Sequence, residues 1–199
     1  LQVRALLAEQ DSRPGIFLGR TPANMPVNPN EIFAEIFEKS FDGLVVLDGS
    51  GGVILINPAM LAMLGYSAKD AGHPEGMPVL LWPDPAERER NLARWKEDIP
   101  LAAPPEREVQ MTCAHGEKRW FRYRTSHVSH GYHLVNAYDI TERKRAEVIL
   151  MESEETFRAL ADQSPNMIFI NKGGQVVYAN SKCEEIMGYT REEFCSPTF

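Results

Sequence analysis

An internal repeat constrains this chain more than any single motif. Glu31-Ile32-Phe33 returns as Glu155-Thr156-Phe157 and Ser40 as Ser164, both at an offset of 124, whereas Asn57 returns as Asn180 and Gly65-Tyr66 as Gly188-Tyr189 at 123. The one-residue change falls between Asp48-Gly49-Ser50-Gly51-Gly52 and Asn171-Lys172-Gly173-Gly174. A turn absorbs a deletion there without displacing the flanking strands. Two copies of one unit follow one another, which rules out a single large core as the plan of the fold.

Each copy opens with the same grammar. In the first, a short helix over about 31–39 leads to an apolar strand from Leu44 to Leu47, a Gly-rich turn and a second apolar strand from Val53 to Ile56. Two such runs around a short Gly-rich turn predict a hairpin. Asn57 before Pro58 has the chemistry of an N-cap ahead of a proline at the first helical position, so a helix carrying Met60, Leu61, Met63 and Leu64 should begin there and end at Gly65. Short helical and loop pieces are expected over 67–83. An amphipathic helix is expected over 87–97, with Leu92 and Trp95 on its apolar side. Three strands follow, roughly 106–113, 118–128 and 132–140. In the second of them Phe121, Tyr123 and Thr125 alternate with Trp120, Arg122 and Arg124, the pattern of a strand with one covered face. The order predicts an α+β domain, a five-stranded antiparallel sheet with helices on one side.

Ahead of this unit, residues 1–30 read as a helix end, suggested by Val3, Leu6 and Leu7, and a linker over 11–30 marked by Pro14, Pro22, Pro26, Pro29, Gly15 and Gly19. With 21 Lys plus Arg against 28 Asp plus Glu, a net charge of −7 disfavours nucleic acid as a partner. The longest apolar runs, four residues, are far short of the ~20 that cross a bilayer, so no membrane contact is expected of this segment. Cys113, Cys183 and Cys195 are odd in number and form no C-x-x-C pair, which suits free thiols in a reducing, cytoplasmic setting.

The first unit resembles a PAS domain of the S-box type. The match runs from Phe41-Asp42-Gly43 through Asn57-Pro58-Ala59 and Gly65-Tyr66-Ser67 to Asp139-Ile140-Thr141-Glu142-Arg143-Lys144-Arg145-Ala146-Glu147. The second copy resembles the first half of the same domain. The boundaries are thus a domain over 31–140, a helical linker over 141–154 and the start of a second domain over 155–199, whose residues 161–199 should be mobile or borrow a partner. The resemblance implies a sensory or signal-relay segment of a multidomain signalling protein, with a sensor histidine kinase first among parents. A ligand-free dimerisation scaffold is the alternative, as are cyclic-dinucleotide synthase, phosphodiesterase or transcription-regulator parents.

In such proteins the closing run joins sheet to output helix, so Asp139, Ile140, Thr141 and Glu142 are the expected relay junction. Read chemically, either Thr141, or Asp139 with Glu142, can satisfy the free amides at a helix start. Ala146, Leu150, Ser153, Phe157 and Leu160 step alternately by four and three. That spacing fits a coiled-coil seam or a single-chain helix packed on its own domain; the resemblance implies a homodimer through the helices flanking the first domain.

Candidate pocket residues are Met60, Met63, Leu92, Trp95, Phe121 and Tyr123; the methionines, Met77 included, also suit a core filler's role. Asn57 and Asn180 suit either helix capping or a ligand-facing role. His127 and His133 should face one another across the last hairpin. Solvated histidines, a metal pair and a titrating pair all fit, without zinc-type spacing, and no metal is predicted. The Asn-Cys-Arg-Phe-Leu-Gln-like run of flavin-binding relatives is absent, and the long helix from Ala86 to Trp95 lacks the histidine of haem-binding ones. His73 lies in a loop between Gly72 and Pro74. No cofactor is predicted, a small ligand stays open, and no catalytic motif is present.

Overall fold

The computed structural model describes residues 28–71, 76–101 and 103–196, so the helix end and linker assigned to 1–30 lie almost wholly outside the described residues, as does His73. Two compact units divide between Thr141 and Glu142.

In the first unit, polar caps set the helix ends. The Asn28 side chain accepts from Asn30 N at 3.1 Å and starts α1 (Pro29–Lys39). β1 (Gly43–Leu47) and β2 (Val53–Ile56) are joined by a turn wound on Asp48. Its Oδ1 accepts from Ser50 N at 2.8 Å, Ser50 Oγ at 2.6 Å and Gly52 N at 2.8 Å. These donors, the Ser50 hydroxyl first, hold the Asp48 carboxyl below the usual carboxylate range. α2 (Pro58–Leu64) ends where Gly65 turns left-handed at φ 72°. α3 (Ala68–Ala71), α4 (Met77–Leu81) and α5 (Pro85–Asp98) follow, Asp84 capping α5 by accepting from Glu87 N at 2.7 Å.

β3 (Arg107–Thr112), β4 (Lys118–His127) and β5 (His133–Asp139) complete an antiparallel sheet in the order β2-β1-β5-β4-β3. The last strand in sequence is therefore the central one, with Val135 opposite Val45 on one side and Thr125 on the other. Strand alternation sends Val45, Val109, Phe121 and Ala137 to the covered face, where they are buried with Met60, Leu64, Met77, Leu81, Met111 and Cys113. Arg107 ties the end of α5 to the sheet: its Nε and Nη2 donate to Oδ2 and Oδ1 of buried Asp98 at 2.9 and 2.8 Å.

In the second unit, α6 (Thr141–Gln163) is one 23-residue helix, so the expected linker and the first helix of the second copy are continuous. β6 (Phe169–Lys172) and β7 (Gln175–Ala179) form a two-stranded sheet, followed by α7 (Ser181–Met187) and α8 (Arg191–Phe194). Ala179, Cys183 and Phe194 make its small core, and the rings of Phe157 and Tyr178 stand 5.2 Å apart. Among the described residues no helix is long and apolar enough to cross a membrane.

Candidate functional site

Asn57 is a structural clamp. It is fully buried; its Oδ1 accepts from Leu44 N and Met60 N, both at 2.9 Å, and its Nδ2 donates to Asp42 O at 2.8 Å and Phe37 O at 3.2 Å. Two lone pairs and two N–H groups are all in use, leaving nothing for a ligand. Asn180 repeats the arrangement: Oδ1 accepts from Ile168 N at 2.9 Å, and Nδ2 donates to Ala161 O at 2.7 Å and Asn166 O at 2.9 Å. Partner positions 37, 42 and 44 become 161, 166 and 168, the offset of 124 before the shortened turn and 123 after it. Only the helix-side partner differs, the Cys183 thiol at 3.3 Å replacing a backbone N–H.

Between sheet and helices, the first unit holds a cavity of about 360 Å³. Val45, Leu47, Val53, Ile56, Leu64, Met77, Leu81, Met111 and Val135 supply most of its apolar wall. Of the residues expected there, Met60, Leu92, Trp95 and Tyr123 line it. Met63 and Phe121 do not, and the expectation is corrected for both. Phe121 sits mid-sheet between Val109 and Asp139 with no exposed surface, already enclosed by packing. Met63 is partly buried and packs against the core cluster without reaching the cavity, and its carbonyl accepts from Arg119 Nη1 at 3.4 Å.

Sequence reasoning missed the contribution of the β1–β2 turn. Gly51 stands at φ +90°, and a Cβ there would lie 2.9 Å from Trp95 Cζ3, so a glycine lets the indole close against the turn. The Gly-Gly pair was the available signal. Burial, and next the charge of Asp98, push the Tyr123 hydroxyl up, keeping it a protonated donor. The buried Trp95 Nε1 has no hydrogen-bond partner among the described residues.

His127 and His133 do face each other, with ring centroids 5.2 Å apart, and His133 stands edge-on to Trp95 at 5.9 Å. Burial, then the neighbouring His127, pushes His133 below the ordinary imidazole value. His127 Nε2 lies 3.1 Å from Leu101 O, and His130 occupies the left-handed tip of the hairpin at φ 62°. Among the described residues no three His, Cys, Asp or Glu side chains gather as a metal site. Burial raises the Cys113 thiol, keeping it protonated.

At the junction the structure selects between the two caps. Asp139 Oδ1 accepts from Thr141 N at 2.9 Å, while the Thr141 hydroxyl accepts from Trp120 N at 2.9 Å and Ile140 N donates to Trp120 O at 2.8 Å. The end of β5 is thereby stapled to β4 where α6 begins. Glu142 instead accepts from Arg145 Nη1 at 2.7 Å on the helix surface.

The family model described as "PAS domain" matches residues 31–100 and 155–198. Sporulation kinase E of Bacillus subtilis is 26% identical over 157 residues, covering 77% of this chain and 21% of the kinase. The chain spans about a fifth of the length of the curated relatives it matches. An RNA-binding light-oxygen-voltage receptor shares the fold with a TM-score of 0.51 and 18% identity, over 70% of this chain and 41% of that one. A sensory box histidine kinase/response regulator from Burkholderia thailandensis aligns at a TM-score of 0.48 with 24% identity, over 64% of this chain and 98% of that one.

Proposed function

The chain belongs to the PAS domain family, and on that premise we propose that its first unit senses a small molecule and that β5 and α6 carry the output. One observation carries this reading: Val135, on the wall of the cavity, belongs to the strand whose next turn holds Thr141 and starts the helix. A ligand bearing on Val135, Tyr123 and Trp95 changes the balance between two settings of that strand end only through unequal affinity for them. Asp139, Ile140 and Thr141 are then the relay, with Glu142 the first surface residue of the output helix.

The parent, on this reading, is a sensor histidine kinase, supported by the likeness to sporulation kinase E. The segment is cytoplasmic, as its free cysteines suit. The second unit is the opening half of another PAS domain, supported by the repeated Asn180 clamp and by the family match over 155–198. α6 pairs with a second copy of itself, supported by exposed Leu150, Phe157 and Leu160 at seam spacing. Flavin and haem are not the expected ligands, since α5 carries no histidine and no flavin-type cysteine run follows α2. Native mass spectrometry of the purified chain tests the sensing role: a reproducible small-molecule adduct supports it, and an empty obligate dimer favours the scaffold alternative.

A further inference from the structure

The cavity's lining has a direction. Exposure sorts it into a floor of buried Met60, Leu64, Met77 and Met111 and a rim of exposed Ser50, Gly52 and Lys96. The floor offers only hydrocarbon and thioether, and flexible methionines suit an unbranched chain. The polar groups of the lining are the Lys96 ammonium, the Tyr123 hydroxyl, the Asn91 amide, the unpaired indole N–H of Trp95 and the Ser50 hydroxyl, which already donates to Asp48 Oδ1. Among the described lining residues Lys96 carries the only charge, and none is acidic.

Building on the sensing reading, we infer that the ligand is an amphipathic acid, a linear chain of about ten carbons with one carboxylate, its head at the Lys96 rim and its tail on the methionine floor. The carboxylate pairs with Lys96, the one cation of the described lining. Among the described lining residues no carboxylate offers a cationic head an ion pair, and a wholly apolar molecule forgoes the Lys96 charge. At about 30 Å³ per water-sized group, the volume holds roughly a dozen non-hydrogen atoms, the size of decanoate.

The test titrates the whole chain with decanoate below its micellar concentration and with decan-1-ol below its solubility limit, following tryptophan fluorescence, since Trp82 and Trp95 both line the cavity. Decanoate should bind about fivefold more tightly than decanol, as expected for a carboxylate paired with a partly exposed lysine. Lys96→Gln should abolish the difference and Lys96→Arg retain it, both with an unchanged thermal midpoint in the absence of ligand. Equal affinities in the unmodified chain, or a difference that survives Lys96→Gln, would overturn the inference while leaving the cavity as a binding site. Binding of neither probe, together with no adduct in native mass spectrometry, would overturn the sensing reading and this inference with it.

Discussion

Replacing Asn57 with alanine removes four hydrogen bonds at once from a fully buried position. Leu44 N at the start of β1 and Met60 N in the first turn of α2 lose their acceptor, and Phe37 O and Asp42 O lose their donor. Each bond contributes about 1 kcal/mol net, and a lost helix cap alone costs about 0.5–2 kcal/mol. Carbonyls tolerate a lost partner better than N–H groups do, so the loss should be about 3 kcal/mol rather than the full sum with desolvation penalties. All three tryptophans, Trp82, Trp95 and Trp120, lie in the first unit, so their fluorescence reports its unfolding. With a urea slope of about 1.5 kcal/mol per molar for a domain of this size, the Asn57→Ala midpoint should fall by about 2 M. A shift under about 0.5 M would refute the assignment of Asn57 as a clamp.

Three further outcomes follow from the same geometry. Gly51→Ala puts a Cβ against Trp95 in a left-handed backbone, so the first unit should lose about 1–2 kcal/mol and its tryptophan emission should shift; an unchanged spectrum would contradict the packing. The native pKa of His133 lies below its unfolded value, so the unfolded chain takes up the proton first as pH falls. The stability it contributes is complete above about pH 6.5 and is lost as pH falls from there towards the native value. His133→Gln should therefore flatten the decline in urea midpoint between pH 7.5 and 5.5, and an equal slope would count against a buried neutral imidazole. Arg107→Leu should destabilise more than Arg107→Leu combined with Asp98→Asn, because the single change strands a buried carboxylate; thermal midpoints in the opposite order would show that Asp98 is not held by Arg107.

Punctuation residues made most of the fold legible. Asn57, Pro58 and Gly65 bound α2 through caps that depend only on neighbouring backbone, and the sheet strands fall within a residue or two of their alternation pattern. The cavity was legible only in part. Alternation assigns Phe121 and Tyr123 to one face alike, but which of them meets a gap depends on how far α5 stands from the sheet, a tertiary quantity. Val135 and Gly51 join the lining because β5 is central and the β1–β2 turn folds toward α5, neither of which is local. The cap at Thr141 was ambiguous for the same reason. Its hydroxyl is claimed by Trp120 N, twenty-one residues earlier, which leaves the helix start to Asp139.

Signal relay through β5 requires that occupancy of the cavity reach the start of α6. Amide hydrogen exchange on the whole chain, with the cavity saturated by decanoate or by the molecule retained in native mass spectrometry, measures this. Exchange should slow at Leu134–Ala137 and change at Ile140–Glu142. Full occupancy with exchange altered around α4 and α5 alone, and none at the junction, would contradict it.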